Sequence, residues 1–199
     1  KTLNLNIGDR VIIYLPMGIE AIVAMQACVR LGLTHSVVFG GFSAKSLQER
    51  ISDTSARLVI TSDGQFRGGK VIPLKSAIDN AIDMGNCESI EKVIVFKRTN
   101  EPFSKNDRDI MWDNLIRNQS TECPAVSVPA EHPLFILYTS GSTGKPKGVQ
   151  HSTAGFLLHA INTCRLTFDL QDSDVYWCTA DVGWITGHTY VAYGPTAMG

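Results

Sequence analysis

The sequence carries no excess of charge of either sign: 18 Lys and Arg stand against 19 Asp and Glu, a formal net charge of −1 over 199 residues. Such a balance gives no general attraction to nucleic acid or to an anionic membrane. No apolar run approaches the length of a membrane-spanning helix, and no signal-peptide pattern opens the chain. Cysteine is sparse and unpaired in its spacing. Cys28, Cys87, Cys123, Cys164 and Cys178 argue for neither a disulfide framework nor a zinc site, and fit a reducing, cytoplasmic compartment. No serine is flanked as in a nucleophile elbow, and no carboxylate lies at triad spacing from His151 or His188. There is no internal repeat and no low-complexity tract. With 44% hydrophobic and 19% charged residues, the chain has ample material for a packed core.

Apolar runs and helical periodicity alternate along the chain. Residues 10–15 read as a short strand ended by Pro16, and residues 17–31 as a helix with Gly32 at its C′ position. A strand over 34–39 precedes a helix from the N-cap Ser43 to about residue 52. A strand at 57–61, a helix opened by Pro73 and running to about 84, and a strand at 92–96 follow. Residues 97–108 read as an exposed loop, 111–117 as a helix, and 120–133 as a proline-rich connector. After a strand at 134–138 come a helix at about 152–166, a strand at 174–178 and a helix from about 186. This alternation predicts an α/β fold, a mostly parallel sheet with flanking helices, in which ligands gather at the carboxyl ends of the strands.

The stretch from Leu134 to Gly148 organises the functional reading. Its first half, Leu134 to Tyr138, is an unbroken apolar run that predicts a strand buried on both faces. Its second half contains Thr139, Ser140, Gly141, Ser142, Thr143, Gly144, Lys145 and Lys147. Glycines let backbone N–H groups turn toward an anion, the hydroxyls donate further hydrogen bonds, and the lysines supply charge without any carboxylate nearby. The composition suits a polyphosphate; the alternative is a solvated hairpin loop. It is not the phosphate loop of NTPases, because Pro146 follows Lys145 where a magnesium-binding Ser or Thr and a helix start are needed.

Three further segments carry candidate chemistry. Arg67-Gly68-Gly69-Lys70 sets two cations around bare backbone, as a phosphate ligand needs or as an exposed charged turn has. Phe39-Gly40-Gly41 offers a flat ring beside backbone, a seat for a base or chain, or a strand end with Phe39 in the core. Trp184-Ile185-Thr186-Gly187-His188 can wall a small apolar pocket with Thr186 as a donor, and Trp beside Ile is also ordinary core.

Residues 138–148 resemble the signature loop of the adenylate-forming enzymes: acyl-CoA synthetases, peptide-synthetase adenylation domains and luciferases. Val38-Phe39-Gly40-Gly41-Phe42-Ser43, Arg67-Gly68-Gly69-Lys70 and the run from Trp177 to His188 narrow the resemblance to the acetyl-CoA synthetases, over nearly the whole chain. It implies a two-step reaction: acetate and ATP, with magnesium, give acetyl-adenylate and pyrophosphate, and coenzyme A then displaces AMP. The loop from Thr139 to Lys147 is implied to grip the ATP phosphates. Phe39, Gly40, Gly41, Arg67, Gly68, Gly69, Lys70 and Thr186 are implied to meet coenzyme A, and Trp184, Ile185 and Thr186 to line the acyl pocket. Lys70 stands where some relatives have Arg, and Ile185 where a valine is expected, so its extra methylene narrows the pocket.

The resemblance also implies that residues 1–199 are an internal piece of the large N-terminal domain. The catalytic lysine, the C-terminal lid, the distal pocket wall and any metal ligands are then expected outside it, and the piece alone is expected to be inactive. Small-molecule substrates are the expected partners, without nucleic acid or membrane. Two alternatives stay open: a propionyl- or other short-chain acyl-CoA synthetase, and a non-catalytic nucleotide-binding module.

Overall fold

A computed structural model describes residues 3–141 and 146–199. Its centre is β1 (Arg10–Tyr14), the middle strand of a seven-stranded sheet. Val11, Ile12 and Ile13 are fully buried. Val11 and Ile13 join the core on one face of the sheet, Ile12 and Tyr14 the core on the other. Successive side chains point to opposite faces, so a strand covered on both sides must be apolar at every position.

Helix α1 (Ile19–Arg30) follows, with Ala21, Ala24, Met25 and Cys28 buried against the first face. It stops at Gly32, whose φ of +67° is the left-handed conformation that glycine adopts without penalty. Strand β2 (Thr34–Val37) leads to α2 (Ala44–Thr54), where the Ser43 hydroxyl accepts from the Ser46 N–H at 3.3 Å as an N-cap. Then come β3 (Leu58–Ser62), β4 (Gly64–Arg67), β5 (Lys70–Pro73) and α3 (Leu74–Asp83). Leu47 and Ile51 of α2 and Leu74 and Ile78 of α3 fill the second face. The chain continues through β6 (Lys92–Phe96), β7 (Asp109–Met111), α4 (Trp112–Ile116), β8 (Pro133–Thr139), β9 (Lys147–Ser152) and α5 (Thr153–Leu166). A final helical run joins α6 (Ile185–Gly187), a π-helical turn (His188–Tyr193) and α7 (Gly194–Met198).

The strand order is β7-β6-β3-β1-β2-β8-β9, parallel throughout except for the β8–β9 pair. The chain leaves β1 for β2 on one side and then returns to β3 on the other. That reversal opens a crevice at the carboxyl edge of the sheet, where such folds bind ligands.

The structure differs from the sequence reading, or adds to it, in four places. First, residues 174–178 are not a strand: no sheet partner lies beside them among the described residues, and Val175 and Trp177 are 100% and 85% exposed. Apolar alternation creates strand potential, but a strand needs a neighbour to satisfy its backbone. Second, residues 147–152 form β9, antiparallel to β8, so the glycine-rich loop closes a hairpin. Third, β4 and β5 form a separate two-stranded hairpin. Fourth, residues 109–111 pair with β6 before α4 starts, and β8 is less covered than expected, with Ile136 and Tyr138 half-buried.

Candidate functional site

The hairpin places the first cationic motif. Gly68 and Gly69 have φ of +56° and +74°, the two left-handed residues of a tight two-residue turn, and Arg67 pairs directly with Lys70 across it. Two cations opposite each other on adjacent strands repel. Neither makes an ion pair among the described residues. A bound phosphate would relieve that repulsion.

Arg67 reaches back to the turn after β2. Its guanidinium lies 4.7 Å from the centre of the Phe39 ring, a cation–π contact that holds a long side chain in place. Gly41 makes the approach possible: a Cβ there would come within 2.7 Å of the Phe39 ring and would also strike the Arg67 guanidinium. The Gln65 carboxamide donates to the Gly40 carbonyl, fastening the hairpin to this turn. A cavity of about 610 Å³ opens here, lined by Tyr14, Gly40, Gly41, Phe42, Arg67 and Ile72, among others. Tyr14 donates its hydroxyl to the Phe42 carbonyl at 3.0 Å, and burial pushes its pKa up to about 12, so it remains a neutral donor.

Trp184 belongs to the same surface. Its ring packs 5.9 Å from Phe39 and edge-on to Phe42 at 6.1 Å. A tight turn delivers it: the Asp181 carboxylate accepts from the Gly183 N–H at 2.7 Å, and the Asp181 carbonyl accepts from the Trp184 N–H at 3.1 Å. His188 supports this segment from inside the protein. It is fully buried, and its Nδ1 lies 3.2 Å from the Trp184 carbonyl, which can only accept, so Nδ1 carries the hydrogen. Burial drives its pKa down to about 4, which keeps the imidazole neutral. It is a core residue and not a general base.

Ile185 lies elsewhere. It lines a cavity of about 450 Å³ with Gln150, His151, Ser152, Phe156 and Thr189, between β9, α5 and the π-helical turn. Trp184, packed on Phe39 and Phe42, does not line that cavity, and Thr186 is exposed.

At the other end of the site, Thr139 closes β8 opposite Lys147, the first residue of β9. Ser140 follows, exposed, and Gly141 turns the chain with φ of +64°. Ser142, Thr143, Gly144 and Lys145 lie outside the described residues. Lys147 is exposed on the terminal strand of the sheet. Among the described residues the loop is thus carried on a strand hairpin, with no helix N-terminus behind it. Helix α2 braces its base: Asp53 accepts the Tyr138 hydroxyl at 2.5 Å, and the Arg50 guanidinium lies 4.9 Å from the Tyr138 ring centre.

The structure brings Phe39, Gly40, Gly41, Arg67 and Trp184 together at the carboxyl edge, with Lys70 across the turn from Arg67. Sequence reasoning missed Tyr14, Gln65, Phe42 and Arg50. A Gly-Gly pair flanked by short β-prone runs was the available signal for the hairpin, and hence for Gln65 on its first strand. Nothing local marks Arg50, whose partners lie 8 and 88 positions away.

A sequence model described as AMP-binding enzyme matches residues 1–199. The chain belongs to that family. It is 60% identical over its whole length to an acetyl-coenzyme A synthetase of Thiobacillus denitrificans, of which it covers 30%. It is 62% identical to one of Methylobacillus flagellatus, of which it covers 31%. Among solved structures, an acetoacetyl-CoA synthetase from Streptomyces lividans superposes with a TM-score of 0.86 at 26% identity, over 97% of this chain and 30% of that one. The chain thus spans about a third of the length of the curated relatives it matches. Among the described residues, no helix is long and apolar enough to cross a membrane. No group of three or more His, Cys, Asp or Glu among them converges as metal ligands.

Proposed function

We propose that the chain is part of an acetate–CoA ligase of the AMP-forming type, contributing the floor of the phosphate site and one wall of the coenzyme A site. The observation that carries this reading is the cavity joining Gly40, Gly41 and Phe42 to Arg67, with the Arg67 guanidinium and Trp184 both packed on Phe39. It combines an aromatic surface, bare backbone and a cation pair, which suits a ligand having a flat base, a thin chain and phosphates. The glycine-rich loop supplies a second phosphate-binding element on the same edge of the sheet, and the acetyl-coenzyme A synthetases at about 60% identity support acetate as the acid.

On this reading, carboxylate activation needs no protein nucleophile. The acetate oxygen attacks the α-phosphate, and the loop's N–H groups, hydroxyls and Lys147 stabilise the departing pyrophosphate by position and charge. Thr139, Ser140, Ser142, Thr143 and Lys145 act in the same role, with Gly141 and Gly144 giving the backbone access. Arg67 and Lys70, spaced by Gly68 and Gly69, hold the phosphates of coenzyme A while its chain passes Phe39, Gly40 and Gly41 toward Thr186. Magnesium would accompany ATP. The described residues form no site for it, and no step here runs through it.

The full-length protein should catalyse acetate-dependent exchange of pyrophosphate into ATP, and should form acetyl-CoA only when coenzyme A is added. Lys145→Ala/Lys147→Ala should abolish most of the exchange without unfolding the protein. Exchange that is unchanged in the double variant, or independent of acetate, rejects the reading. The acid itself is open to a second reading, because the matched Streptomyces lividans structure is an acetoacetyl-CoA synthetase. The ratios of kcat/KM for acetate, propionate and acetoacetate decide it.

A further inference from the structure

Arg50 is nearly fully buried, yet it has no acid partner among the described residues. Its two acidic neighbours are engaged elsewhere: Glu49 lies 3.8 Å from Lys45, and Asp53 accepts the Tyr138 hydroxyl. The one hydrogen bond the guanidinium makes among the described residues is to the Ser46 carbonyl within its own helix, at 2.8 Å. Two aromatic rings hold it instead. Phe42 and Tyr138 each have their ring centre 4.9 Å from the guanidinium carbon. Burying an unpaired cation is unfavourable, and a leucine or methionine would fill the gap between two rings without that penalty. Desolvation lowers the Arg50 pKa, as this environment requires. What the charge adds is attraction to both rings at once, and attraction of this kind strengthens where water is excluded.

The two rings belong to different parts of the site. Phe42 ends the Phe39-Gly40-Gly41 turn and packs on Trp184. Tyr138 precedes the glycine-rich loop by one strand residue and lies flat on the hairpin, where a Cβ on Gly148 would come within 3.2 Å of its ring. Asp53, one turn after Arg50 on the same face of α2, fixes the Tyr138 hydroxyl. Beside them a cavity of about 360 Å³, lined by Arg50, Tyr138 and Pro146 together with Lys45, Gln48 and Asp53, leaves the hairpin base without packing on that side.

We infer that Arg50 is a positioning residue that ties the base of the glycine-rich loop to the Phe39–Phe42 turn, so that the phosphate-gripping and coenzyme-gripping parts of the site hold one relative placement. This rests on the functional reading above. A side chain serving one half-reaction would affect one substrate; a tie between the two turns affects both.

The test is made in the full-length protein with Arg50→Met, which keeps length and packing without the charge, and Arg50→Lys, which keeps the charge. Arg50→Met is expected to raise KM for ATP in pyrophosphate exchange and KM for coenzyme A in thioester formation, each about tenfold. Arg50→Lys should recover most of both. Amide hydrogen exchange should quicken together at residues 40–42 and at 139–141 and 147 in Arg50→Met. Adding Tyr138→Leu to Arg50→Met should then give little further loss in exchange activity. The inference is overturned if only one KM moves, if neither moves, if Arg50→Lys is as impaired as Arg50→Met, or if one turn alone loses protection. Should the wild-type protein show no acetate-dependent exchange, the functional reading fails by itself, and hydrogen exchange at the two turns still decides the role of Arg50.

Discussion

At the scale of single residues, the site is built from small permissions and a few charges. Gly41 permits Arg67 to lie on Phe39, and Gly68 with Gly69 permits Arg67 and Lys70 to stand opposite each other. In the full-length protein, Arg67→Ala should weaken thioester formation by about 1.5–3 kcal/mol, roughly ten- to a hundredfold in apparent affinity for coenzyme A. Acetate-dependent pyrophosphate exchange should be spared. Equal damage to both would mean that Arg67 serves ATP or the fold. Ile185 lines a cavity with His151 and Phe156, away from the Trp184 cluster. One methylene in an apolar pocket discriminates by only ~1–3 kcal/mol, so Ile185→Ala should move the propionate-to-acetate ratio of kcat/KM toward propionate, and modestly. No movement in that ratio would assign Ile185 to packing.

At the scale of elements, the final helical run is bound to the sheet through buried histidines. His35 on β2 faces the Tyr193 hydroxyl, stacks on Phe135 of β8 and lies 5.6 Å from the His188 ring of the π-helical turn. His151 on β9 stacks on Phe135 from 4.5 Å. Burial lowers the pKa of all three below the ordinary 6.5, to about 4 at His188. In the unfolded chain these imidazoles take up protons near 6.5, whereas in the folded protein His188 stays neutral until the pH is much lower. The unfolded state therefore binds more protons between those values, and stability falls as pH drops through that window. His188 alone should remove about 2 kcal/mol between pH 7 and pH 5, read as a lower unfolding free energy in urea. Stability that is flat over this range would show that the histidines are reached by water. Asp63 acts in the same direction, at lower pH. Burial would raise its pKa, but backbone N–H donors from Arg98, Thr99 and Gly64 outweigh that and hold it below its usual value, so its contribution is lost only in stronger acid.

At the scale of the whole molecule, the sheet is covered on both faces, and Phe135 is where strands and the final helical run meet. It contacts His35, His151, Phe156, His188 and Tyr193 and is fully buried. Phe135→Ala should cost about 3–5 kcal/mol in urea unfolding, because a ring this enclosed leaves a cavity its neighbours cannot fill. A loss below about 1 kcal/mol would mean that the cluster collapses around the gap. Much of this molecule was legible in its residues. The unbroken apolar runs of β1 and β6 announce parallel strands covered by helices, Ser43 and Gly32 mark helix ends, and Pro146 excludes a helix directly after Lys145, where β9 follows. These features depend on neighbours in the chain, through backbone torsions, side-chain alternation and local hydrogen bonds. The hairpin partners, the failure of residues 174–178 to become a strand, the separation of Ile185 from Trp184 and the seating of Arg50 between two rings were decided only by the tertiary structure. Each depends on which distant groups come to lie within a few ångströms, and strand pairing, desolvation and cation–π attraction have no value until that neighbour is in place.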